Sequence, residues 1–76
     1  MQSDHQKVLD LAKAGKWEEA HSTVQKQSDE LSCQVHGYLH RVEGDLSNAA
    51  YWYRRGNANL PDNTLDEEWE RLYRAL

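Results

Sequence analysis

Seventy-six residues allow one domain with a thin core, since a chain of this length buries only about two-thirds of its unfolded surface. The net charge of −4 and a pI near 5.4 set aside the basic stripe on which nucleic-acid binding rests. The lone Cys33 sets aside an internal disulfide and a cysteine-rich zinc site, and no apolar run approaches the roughly 20 residues of a membrane span.

Helical periodicity begins near the start. Val8, Leu11 and Ala12 form one face of a first helix, for which Ser3 and Gln6 make a capping box. After Gly15, a second helix carries Trp17, Ala20 and Val24. Ser28-Asp29 precede a third, whose stripe runs Leu31, Val35, Tyr38, Leu39 and Val42. Past Gly44, Asp45 caps a fourth helix with Leu46, Ala49, Ala50 and Tyr53 facing inward. Gly15, Gly44 and Gly56 each stand where a left-handed residue ends a helix. The segment 57–63, with Pro61, reads as a connector. Thr64 with Glu67 then opens a fifth helix bearing Leu65, Trp69, Leu72 and Leu76.

No segment alternates with period two, so the expected fold is all-α. It comprises a hairpin over about 4–27, a second over about 29–56, and a capping helix over 65–76, all within one domain spanning 1–76. Hydrophobic residues are 38% of the chain, with no Phe and a single Met at its start. The core must therefore rest on Leu, Val, small Ala, three Trp and four Tyr. The N-terminal residues lack the pattern of a signal peptide, and a reducing, cytoplasmic setting is the expectation.

The two hairpins repeat one another. Gly15-Lys16-Trp17-Glu18-Glu19-Ala20 with Val24 maps onto Gly44-Asp45-Leu46-Ser47-Asn48-Ala49 with Tyr53 at a constant offset of 29 (44 − 15 = 53 − 24). In each, a glycine ends one helix, an apolar residue two positions on anchors the next, and a small Ala lets the backbones approach. The stretch from Gly44 to Arg55, with Pro61 twelve residues after Ala49 and Gly37 twelve before it, resembles the second hairpin element of tetratricopeptide and Sel1-like repeats. Cys33, His36 and His40 stand where that pattern has large apolar residues, and the offset is shorter than its usual period of about 34. The run His36-Gly37-Tyr38-Leu39-His40-Arg41-Val42-Glu43-Gly44-Asp45, leading into Asn48-Ala49-Ala50-Tyr51-Trp52-Tyr53-Arg54-Arg55, is similar to a family of small, mostly bacterial helical proteins of unknown function. The resemblances imply a helical-hairpin fold and no specific activity.

Several residues bear on function. His36, His40 and Glu43, at i, i+4 and i+7, share a helix face, and His21 joins them if the second helix packs alongside. Without a certain further ligand, that face reads as structural, with Glu43 or Asp45 bonding an imidazole; no metal or other cofactor is expected. Cys33 and His36 lie one turn apart, yet no loop around them forms a pocket, so catalysis is not expected. The acidic run Asp66-Glu67-Glu68 with Glu70 suits the positive end of the fifth helix, with its outer face solvated.

On the fourth helix, Tyr53 belongs to the core stripe while Tyr51 and Arg55 face outward, with Trp52 on the flank. Tyr, Trp and Arg dominate binding hot spots. The reading that follows is a non-catalytic protein–protein interaction module. Its partner is another protein or a second copy, met through the side bearing His36, His40, Tyr51, Trp52 and Arg55. The alternative is a small metal- or ligand-binding protein using the His36/His40/Glu43 face. Neither nucleic acid nor membrane is expected as a partner.

Overall fold

Each helix starts and stops where local chemistry provides for its open backbone groups. The computed structural model describes residues 4–76, so the capping box expected at Ser3 lies outside it. The helices are α1 (Asp4–Lys13), α2 (Trp17–Val24), α3 (Glu30–Val42), α4 (Leu46–Arg55) and α5 (Leu65–Arg74), and no strand occurs among the described residues. Asp29 accepts from the Ser32 amide at 3.1 Å and Asp45 from that of Asn48 at 3.3 Å, while Thr64 and Glu67 cap α5 reciprocally. By contrast, α2 opens at Lys16 with no side-chain cap.

The repeat is written in the turns. Lys16 donates to the Leu11 carbonyl, Asp45 to that of His40 and Ala58 to that of Tyr53, each reaching five residues back. Such a bond requires a left-handed residue just before the donor. Gly15 (φ 79°) and Gly44 (φ 85°) supply it as expected. At the third turn Asn57 (φ 60°) takes that role, and Gly56 stays at φ −87°. Gly56 is needed for another reason: a Cβ there would lie 2.6 Å from the Glu30 carbonyl oxygen. The end of α4 meets the start of α3 too closely for any side chain.

The same closeness recurs at mid-helix. A Cβ on Gly37 would stand 2.6 Å from the Tyr53 ring and 3.0 Å from the Ala49 carbonyl. At the 29-residue offset, Gly37 corresponds to Val8 and Tyr53 to Val24 (37 − 8 = 53 − 24 = 29). One hairpin sets no side chain against a Tyr where the other has a valine at each of the two equivalent positions. Both solutions close the core, for Val8, Val24, Ala20, Ala49 and Tyr53 are all buried.

α3 packs against all four other helices. This central position buries every residue from Val35 to His40, so α3 has no outer face there. Val42, Leu46 and Leu65, expected inside, lie at element ends and are exposed. Leu9, outside the expected stripe, is fully buried.

α5 closes the structure over α3 and α1. Trp69 Nε1 donates to the Leu9 carbonyl at 2.8 Å, and Lys13 Nζ sits 4.0 Å above the Trp69 ring. Leu72 is buried beneath. Glu68, read from sequence as part of a solvated acidic run, is fully buried. Arg71 grips it with two bonds at 2.7 and 2.8 Å, Tyr53 Oη donates at 2.7 Å and Asn63 Nδ2 at 3.1 Å. Burial alone would raise this carboxyl, but those donors hold it below its ordinary value. A buried carboxylate so fully bonded pins α5 to α4 and to the 57–63 loop.

Candidate functional site

The residues that could act on a ligand gather where α2, α3 and α4 meet. His21 comes from α2, and His36 and His40 from successive turns of α3. His36 Nε2 lies 3.0 Å from His21 Nε2. The ring centroids form a near-regular triangle with sides of 4.7, 4.9 and 5.2 Å. His36 and His40 are buried at 3% and 6% exposure, and His21 is half-buried at the rim.

Aromatic rings fix the imidazoles from both sides. Trp17, one turn before His21 on α2, stacks on it at 4.7 Å, and its Nε1 donates to the Leu39 carbonyl at 2.6 Å. Trp52 of α4 stacks on His36 at 3.8 Å, and the Arg55 guanidinium covers the other side of Trp52 at 4.6 Å. Trp52, placed on the flank of its helix by the sequence, thus has its ring against α3.

Hydrogen bonding sorts the ring nitrogens. His40 Nδ1 meets Glu43 Oε1 at 2.6 Å, which leaves Nε2 on the side of the other two rings. His36 Nδ1 is buried with no hydrogen-bond partner among the described residues. Burial, together with the charges that His21, His40 and Arg55 would bring near it, lowers the His36 pKa to about 3. His21 is lowered as well, by desolvation first and then by His40. Both rings are thus neutral at ordinary pH.

This geometry rearranges the site read from sequence. Glu43 pairs with His40, while His21 makes the third corner of the triangle. The sequence reading against a metal rested on the lack of a certain further ligand; the packing of α2 on α3 brings in His21, but with Glu43 bonded to His40 the imidazole set numbers three. His36 and His40 leave the outward surface on which they were expected. Tyr51, at 51% exposure, and Arg55 remain there, with Trp52 half-buried at the edge. The two groups adjoin, for a shallow depression is lined by His21, Gln25, His36, His40, Asn48, Tyr51 and Trp52.

Cys33 takes no part. Its buried thiol donates to the Ser28 carbonyl at 3.7 Å rather than meeting His36, and burial pushes its pKa up. Trp17 went unrecognised from sequence as a site residue, although its spacing to His21 equals that of His36 to His40 (21 − 17 = 40 − 36).

Fold and site together define a small all-helical protein with a buried three-imidazole cluster opening onto an aromatic rim. Comparison of the chain with protein-family models, curated proteins and solved structures finds no match.

Proposed function

We propose that this chain is a non-catalytic interaction module that meets a protein partner, or a second copy of itself, through the outward side of α4. The observation that carries the reading is Tyr51: a large aromatic left half in solvent in a chain with few apolar residues to spare. The Arg55 guanidinium lies over both its ring, at 5.8 Å, and that of Trp52. This grouping presents, with the two rings edge to face at 86°, the residue types that carry most binding energy at interfaces. The hairpin resemblance is in keeping with such a role, since repeat hairpins serve chiefly as binding scaffolds.

The test is a double change, Tyr51→Ala with Arg55→Ala. Neither side chain fills the core, so the melting temperature should stay within a few degrees of the parent. Partner capture from the native cell, or self-association in sedimentation, should drop at least about tenfold, as for loss of a hot spot worth roughly 2 kcal/mol. A folded variant that keeps full capture and full self-association removes this face from consideration.

A further inference from the structure

We propose that His21, His36 and His40 bind a zinc ion, with the fourth coordination position open toward the depression lined by Gln25, Asn48 and Tyr51. This goes beyond the partner face on α4: its ligands lie on α2 and α3, and it shares with that face only the rim at Tyr51.

Four observations converge. First, one donor nitrogen from each ring lies within 4.8 Å of the others. Two nitrogens on a tetrahedral zinc, each about 2.0–2.1 Å from the ion, stand roughly 3.3 Å apart. The His21–His36 pair, at 3.0 Å, is already near that separation, and His40 completes the set from the next turn of α3.

Second, two Nε2 atoms face each other. A neutral imidazole has one N–H and one lone pair, so hydrogen bonding uses the lone pair of only one ring in that contact. A cation between them uses both.

Third, Glu43 holds Nδ1 of His40 in the manner of the outer carboxylates of histidine metal sites, fixing the ring with Nε2 as donor. Fourth, His36 keeps a buried Nδ1 without a partner. An apolar side chain of similar size would fill the same space without that cost, so packing alone does not account for an imidazole there.

Neutral nitrogen donors suit zinc among the common divalent ions, and three protein ligands with one open position is a recurrent arrangement for it. The stacked Trp17 and Trp52 rings keep His21 and His36 in place, so little ordering remains when the ion arrives.

The experiment uses the tag-free 76-residue chain, stripped with a chelator and titrated with zinc chloride by calorimetry. One ion per chain should bind with a Kd tighter than about 10 µM. In imidazole nitrogen-correlated NMR spectra of the unaltered protein, zinc should shift His21, His36 and His40. His5, which bonds Asp29 at 2.8 Å away from the cluster, should not shift. His21→Gln should weaken binding at least about 30-fold, and Glu43→Gln by about tenfold or more; His5→Gln should leave it unchanged. Binding weaker than about 10 µM, unchanged affinity in folded His21→Gln, or shifts spread equally over His5 would each overturn the proposal. Because the NMR arm needs no substitution, it decides the matter even where a cluster variant fails to fold.

Discussion

The two hairpins share a turn and differ in how they are held. α3 and α4 approach closely at two glycines, Gly37 against the Tyr53 ring and the Ala49 carbonyl and Gly56 against the Glu30 carbonyl, with Asp45 capping the second helix. α1 and α2 instead carry buried valines, Val8 and Val24, at the equivalent positions, and α2 is short and uncapped by any side chain. α2 reaches α3 through Ala20 and Val24 and through polar aromatics, with Trp17 on the Leu39 carbonyl and His21 against His36 and His40. One repeat thus serves as a rigid frame and the other as a piece docked onto it. The docking surface is also where ligand chemistry collects, as expected when the element that completes a site is the less firmly held one.

The comparison breaks most visibly at the equivalent positions Gly37 and Val8. Gly37→Leu should cost about 4 kcal/mol or more, because even its Cβ has no space beside Tyr53. Val8→Leu adds one methylene at a position that already holds a buried side chain, and should cost under about 2 kcal/mol. Urea denaturation of both variants measures the difference; equal losses would mean the hairpins are packed alike.

Acid should separate the two halves in metal-free protein. His21 and His36 have folded pKa values below the ordinary 6.5, so the unfolded chain takes up protons first as pH falls. Their contribution is whole above about pH 6.5 and declines below it, toward about 3 for His36. Glu68 is also lowered, from an ordinary 4.5, so its contribution persists above that pH and is lost as pH falls through the lower folded value. The melting temperature should therefore begin to fall below about pH 6.5 and steepen below about pH 4.5. A melting temperature flat from about pH 8 to about pH 5 would show that the docked hairpin does not depend on neutral imidazoles.

The smallest effect tests what the hairpins share. Gly15 and Gly44 have left-handed backbones and open space around a Cβ, so Gly15→Ala and Gly44→Ala should each cost about 1–2 kcal/mol. Matching losses in thermal melts would sharpen the contrast at Gly37, since the turns would then be equal and the packing not.

Much of the frame was legible beforehand because its signals are local. Asp29, Asp45 and Thr64 cap the helices they precede, and Gly15 and Gly44 turn left-handed where the periodicity stops. Gly56 was misread because Gly56-Asn57 offers two residues able to turn, and only contact with Glu30 decides between them. The burial of His36 and His40 was hidden for a different reason. A stripe describes a helix with one covered face, whereas α3 is covered by four neighbours. Glu68 followed the same logic: a first-turn acid looks solvated until Tyr53 reaches it from α4, joining its near neighbours Asn63 and Arg71. His21 was named as a possible addition, but its place in the triangle depends on how α2 docks, which no local pattern encodes.

The arrangement of tryptophans has an optical consequence. Trp17 and Trp52 lie in contact with the imidazole triangle, while Trp69 stacks instead on Tyr73, beneath Lys13. Indole emission is quenched by a neighbouring imidazolium and by open-shell ions such as copper(II), and both effects fade steeply with distance. Two of the three emitters therefore respond to the state of the cluster, and the third serves as an internal reference. A Trp69→Phe variant would leave a chain whose intrinsic fluorescence reports on the cluster alone, with no dye attached.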